Sequence, residues 1–68
     1  MNYAAAIKAL RQTAGLSKRR LATLAGVHAT YITHIESGKK KPSLDVLEQL
    51  AQALGVKMSR VVRLAEED

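Results

Sequence analysis

The apolar positions of this chain fall in short runs at helical spacing, and four of the runs are closed by a glycine. Tyr3, Ile7, Leu10 and Ala14 recur every three or four residues, as one buried helix face requires, and Gly15 follows them. Leu21, Leu24 and Ala25 repeat the pattern before Gly26. Tyr31, Ile32 and Ile35 do so before Gly38, and Leu44, Leu47, Leu50, Ala51 and Leu54 before Gly55. Val61, Val62 and Leu64 mark a fifth helix, from near Ser59 to about Glu66, ahead of an acidic tail expected to fray. Capping residues sit where these runs need them. Ser17 precedes the second, with Leu16 and Leu21 placed as a hydrophobic staple, and Pro42-Ser43 stops the third and caps the fourth. No stretch alternates for long enough to make a strand. The pattern predicts an all-α fold: a small five-helix bundle forming one domain over residues 1–68.

The third run, from about Ala29 to Ser37, is polar in an unusual way. At about 100° per residue, Ala29, Thr33, Ser37, Thr30 and His34 share an arc of about 140°. Tyr31, Ile35 and Ile32 lie on the opposite side, towards a core. The exposed arc is made of short hydrogen-bonding side chains of middling or poor helix propensity rather than Glu, Lys and Gln. A DNA major groove, about 12 Å wide, accepts a helix, and short side chains of these types can meet base edges or a thymine methyl. Ordinary surface threonines would give the same pattern, so on this helix alone both readings stand.

Charge alters that balance. The net charge of +5 is unevenly divided. Up to Lys41, eight cations (Lys8, Arg11, Lys18, Arg19, Arg20, Lys39, Lys40 and Lys41) face Glu36 alone, which is +7. Beyond it, Lys57, Arg60 and Arg63 face Asp45, Glu48, Glu66, Glu67 and Asp68, which is −2. Such asymmetry suggests a polyanion for one face. Lys18, Arg19 and Arg20 also occupy the first turn of the second helix, where the helix dipole disfavours each cation by about 0.3–1 kcal/mol. A phosphate at that end would relieve the conflict; a solvated basic turn is the plainer alternative.

Composition excludes much else. With 68 residues the chain makes one small domain of modest core, and without cysteine it has no disulfide or thiolate metal site, as suits a reducing cytoplasm. No apolar run approaches the ~20 residues of a membrane span, and the N-terminus lacks a secretory layout. His28 and His34, six residues apart, point about 120° away from each other on a helix and cannot share a metal. No carboxylate pair faces a histidine. Neither an enzyme nor a cofactor is expected.

Lys18 to Ser37 resembles the helix-turn-helix motif of the phage repressor and Cro-like superfamily. Leu21 and Ala22 stand in its first helix, Gly26 in the turn, and Val27, Ile32 and Ile35 at core positions of the second. Gly15-Leu16-Ser17, Tyr31-Ile32, Ile35-Glu36 with Gly38-Lys39, Pro42-Ser43 and Leu54-Gly55-Val56 fall in the same register, from about Ala6 to Val62. The resemblance implies a lambda-repressor-like domain that binds double-stranded DNA. His28, Ala29, Thr30, Thr33 and His34 would read bases, and Lys18, Arg19, Ser37, Lys39, Lys40 and Lys41 would contact phosphate. It also implies a structural pairing of Arg11 with Glu36. Ala22 is small where the two helices cross, and Gly26 allows the turn. Two positions depart from the family: Lys18 stands where Gln is frequent, and keeps a phosphate contact without an amide. His28 stands where Ser or Thr often caps the recognition helix, and imidazole caps less well.

The expected function is sequence-specific DNA binding by a transcriptional repressor or autoregulator. Small relatives bind as two-fold dimers to half-sites ~34 Å apart, and use the region of helix five. Val61, Val62 and Leu64 are therefore expected either at a homodimer surface or closing the core. The alternative is the antitoxin of a toxin–antitoxin pair, with a toxin protein as partner and only the tail Arg63–Asp68 to hold it.

Overall fold

The computed structural model describes residues 1–67; the last residue of the acidic tail, Asp68, lies outside the described residues. Five helices follow in order: α1 (Tyr3–Thr13), α2 (Lys18–Ala25), α3 (Ala29–Glu36), α4 (Leu44–Leu54) and α5 (Met58–Glu66), with no strand among the described residues.

Side-chain oxygens start three of them. Asn2 Oδ1 accepts from the Ala5 N–H at 3.0 Å, Ser17 Oγ from Arg20 at 3.0 Å and Ser43 Oγ from Val46 at 3.2 Å, each satisfying one of the donors a helix start leaves free. The Asn2 N–H also reaches the Ala65 carbonyl at 2.9 Å, which ties the chain start to α5. Four helices end by one pattern. The N–H two residues past the last turn returns to a carbonyl five residues earlier: Leu16 to Arg11, Val27 to Ala22, Lys39 to His34 and Val56 to Ala51, at 2.9–3.1 Å. Closing α2 this way puts Gly26 at φ 75°, ψ 30°. A Cβ there would meet no atom within 4 Å, so glycine is required for the left-handed backbone and not for space.

The core draws on every helix. Ile7 and Leu10 of α1, Leu21, Ala22 and Ala25 of α2, Ile32 and Ile35 of α3, Leu47, Leu50 and Ala51 of α4 and Val61 of α5 form one buried cluster. α2 packs against α3 and α4, while α1 lies across α3 and α5. Three apolar residues expected inside are outside: Leu24 is 47% exposed, Leu44 is 66% exposed and Ala14 is exposed. Leu24 shares the spacing of the α2 stripe, but α2 turns its Leu21–Ala22–Ala25 side inward, and the small Ala22 is what lets α3 approach. Leu44 sits in the first turn of α4, ahead of the stripe that reaches the core at Leu47. α5 begins at Met58, near the expected Ser59, and Met58 packs against the core. α5 is helical through Glu66, with Glu67 at its C-cap.

Candidate nucleic-acid interface

α2 and α3 are joined by the turn Gly26–Val27–His28, and α3 is fixed from behind by Ile32 and Ile35, both essentially unexposed. That anchoring decides what the other side presents. His28, Thr30, Thr33 and Ser37 are exposed, and Ala29 and His34 are half-buried. Among the described residues, the Thr30 and Thr33 hydroxyls have no hydrogen-bond partner in the chain; that of Thr23 on α2, by contrast, donates to the Arg19 carbonyl at 3.0 Å. His28 stands at the cap position of α3 and makes no side-chain cap bond. Both threonine hydroxyls can therefore donate or accept, and the His28 imidazole is free of helix duty.

Lys18, Arg19 and Arg20 are exposed in the first turn of α2, which carries no acid. Past α3, Lys39, Lys40 and Lys41 are exposed as well. The closing turn of α3 departs from the other three in one residue. At the equivalent position α1, α2 and α4 carry Leu16, Val27 and Val56, which pack on the core, whereas α3 carries Lys39. The chain leaves α3 towards solvent because nothing there is apolar. Ser37 Oγ donates to the His34 carbonyl at 3.2 Å. A phosphate offers only acceptors, so Ser37 must give up that bond before donating to one.

Arg11 and Glu36, 25 residues apart in sequence, meet side by side. Arg11 Nε donates to Glu36 Oε2 at 2.7 Å and Nη2 to Oε1 at 3.1 Å, while Nη1 donates to the Leu16 carbonyl at 2.9 Å. The two side chains are only 11% and 4% exposed. The hydrogen bond to Glu36 raises the Arg11 pKa above its ordinary value, burial opposes this, and the carboxylate charge adds to the rise. This is the only ion pair among the described residues, so the cations of α2 and of the 39–41 loop are not neutralised by neighbouring carboxylates. The fork ties the end of α1, the α1–α2 connection and the end of α3, and so sets where α3 points.

Two further features bear on the surface. Of the three residues expected either at a dimer surface or closing the core, Val61 is 0% exposed and belongs to the core, Leu64 is half-buried and packs against it, and Val62 is half-buried without being among the residues packed there. Lys40 Nζ lies 5.9 Å from the centre of the Tyr31 ring, a contact that charge and periodicity did not reveal. A surface hollow of about 280 Å³ is lined by Val56, Lys57, Ser59, Arg60 and Arg63 and includes no residue of α3. No group of three metal-ligating side chains occurs among the described residues.

Two short helices across a tight glycine turn, the second held by its apolar side with a polar side outward, define a helix-turn-helix domain. The chain belongs to the phage-repressor and Cro-like helix-turn-helix family, whose pattern matches residues 7–61. It is 48% identical over 50 residues to an uncharacterised HTH-type transcriptional regulator of Mycobacterium tuberculosis, covering 74% of this chain and 36% of that protein. It is 39% identical over 56 residues to the immunity repressor protein of Bacillus phage phi105, covering 82% of this chain and 39% of that one. The crystal structure of the clp gene regulator ClgR from C. glutamicum superposes with a TM-score of 0.92 at 29% identity, over 97% of this chain and 86% of the other. The chain thus spans less than two-fifths of the length of the two curated relatives.

Proposed function

We propose that this chain is the DNA-reading domain of a cytoplasmic transcriptional regulator, a repressor or autoregulator that lays α3 in the major groove of a palindromic operator as a homodimer. The observation that carries the reading is the exposed side of α3, where among the described residues the Thr30 and Thr33 hydroxyls have no partner and the neighbouring lysines and arginines no carboxylate to neutralise them. His28, Ala29, Thr30, Thr33 and His34 read bases; Lys18, Arg19, Lys39, Lys40 and Lys41 hold phosphates, joined by Ser37 if its hydroxyl turns. The names of the relatives favour a regulator over a toxin-binding partner, and over an enzyme.

The dimer reading is supported by α5. Val62 is half-buried yet is not among the described residues packed on the core. Lys57 and Arg60 charge the start of the helix, Arg63 its last turn, and Glu66 and Glu67 its end. Two copies of α5 laid antiparallel would set each basic end against the other's acidic end, with Val62 near the centre.

Selection of bound duplexes from random DNA tests the proposal, followed by binding of the selected site against salt. A palindromic consensus is expected. If the dimer neutralises ~6–10 phosphates, affinity falls by roughly 10³–10⁵ between 50 and 200 mM salt. Failure to enrich any sequence, with binding indifferent to salt, would overturn it.

A further inference from the structure

The three lysines after α3 are alike in sequence and unlike in structure. The His34 carbonyl accepts from the Lys39 N–H at 2.9 Å, from the Lys40 N–H at 3.1 Å and from Ser37 Oγ at 3.2 Å. Three donors on one oxygen fold the chain back over the end of α3 and leave Lys40 with little backbone freedom. Its ammonium then lies 5.9 Å from the centre of the Tyr31 ring, at the outer edge of cation–π range. Tyr31 is half-buried and packs against the core, so the ring is itself a fixed platform. On α3 it sits about 60° beyond His34, at the margin of the polar side. That margin is where a helix lying in a groove meets a wall of phosphates.

From these contacts we infer that Tyr31 is a positioning residue for DNA: its ring holds the Lys40 ammonium at the edge of the reading face, ready for a backbone phosphate. A neutral ring is suited to this. It orders the lysine without cancelling its charge, whereas the Glu36 carboxylate neutralises Arg11 and removes it from any role towards an anion. Holding the side chain beforehand removes part of the ordering entropy that a free lysine loses on binding. Lys39 and Lys41, with no such platform, contribute charge alone. The inference rests on the DNA-reading proposal and adds to it a residue on the buried margin of α3.

The test is a binding cycle on a random-sequence duplex, since a phosphate contact needs no operator, with Tyr31→Leu, Tyr31→Phe, Lys40→Ala and the Tyr31→Leu/Lys40→Ala double variant. Tyr31→Leu and Lys40→Ala should each weaken binding, by up to about fivefold for the ring contact. The double variant should be no weaker than Lys40→Ala, and Tyr31→Phe should bind as the parent does. In the DNA-free protein, the Lys40 ε-methylene protons should resonate upfield of those of Lys39 and Lys41. That ring-current shift should persist in Tyr31→Phe and vanish in Tyr31→Leu, whatever the latter does to stability. Additive losses, a Tyr31→Phe as weak as Tyr31→Leu, or an unshifted Lys40 would each overturn the inference while leaving the DNA reading intact. If the parent binds no duplex at all, the DNA reading fails and the inference fails with it.

Discussion

Replacing Glu36 by alanine removes the carboxylate that takes two of Arg11's donors and leaves the guanidinium, 11% exposed, with the Leu16 carbonyl alone. Replacing Arg11 leaves the Glu36 side chain, 4% exposed, with no partner among the described residues, and frees the Leu16 carbonyl as well. Breaking one half of a fully buried pair costs about 3–5 kcal/mol and an exposed pair is worth ~0–1 kcal/mol, so this part-buried fork falls between them, at about 2–3 kcal/mol. A domain of this length has a total stability of roughly 3–10 kcal/mol. Either change therefore removes a large share of it, with a melting temperature lower by about 8–24 °C. Arg11→Ala should be the worse of the two, because it strands the more deeply buried charge and a carbonyl besides. Replacing both by apolar side chains of similar size, Arg11→Met with Glu36→Leu, should recover most of the loss. Urea unfolding followed by far-ultraviolet circular dichroism of the parent, Arg11→Ala, Glu36→Ala and the Arg11→Ala/Glu36→Ala double variant measures the four corners of the cycle. A coupling of at least ~2 kcal/mol is expected. A value below ~1 kcal/mol, the range of exposed pairs, would refute the claim that this fork anchors α3. The sign with pH follows from the raised Arg11 pKa. A cation whose folded pKa exceeds its unfolded one stabilises fully below the unfolded value and loses that contribution only as pH rises through the folded one. The guanidinium range lies above any working pH, so Arg11 should bring no alkaline loss of stability from neutral pH upward.

Other substitutions separate reading from folding. Thr33→Ala or His34→Ala should change which bases a DNA selection prefers, at about 1–3 kcal/mol per contact, while melting moves by less than ~0.5 kcal/mol. Ile32→Ala or Ile35→Ala should leave the preference alone and cost ~2–5 kcal/mol in unfolding experiments; unchanged base preferences in the first pair would show that this side of α3 reads nothing. Gly26→Ala should destabilise by ~1–2 kcal/mol through its left-handed backbone, although the added methyl touches nothing, and a neutral result in thermal melts would contradict that reasoning. Val62→Asp should convert a dimer to monomers in sedimentation without loss of stability, whereas Val61→Ala should cost about 2 kcal/mol and leave assembly unaltered. Equal effects of the two on assembly would argue against α5 as the dimer surface.

How much was legible in the sequence differs from element to element. Caps and glycines are local chemistry, which is why Ser17, Gly26, Ser43 and Gly55 placed the bounds of α2 and α4 before any packing was known. The polar side of α3 was equally plain, because helical spacing alone separates Thr30 and Thr33 from Ile32 and Ile35. The bound of α5 was less so. Its start has no side-chain cap, so no residue type marks it.

Which face of a helix is buried depends on its neighbours, and spacing cannot choose among them. Leu24 was expected on the buried α2 stripe, yet α2 turns Leu21, Ala22 and Ala25 inward and leaves the leucine 47% exposed. Val61, Val62 and Leu64 read as one apolar group, yet the packing of α5 separated a core residue from two half-buried ones. The meeting of Arg11 with Glu36 needed the family resemblance, since no local rule joins residues so far apart in the chain. The place of Lys40 over Tyr31 depends on three donors converging on one carbonyl at a helix end, a closure that neither charge nor periodicity reveals. The sequence by itself determined the helices, their ends and the polarity of each side. The folded chain determined which of those sides met, because burial is a property of pairs of surfaces and a sequence lists them one at a time.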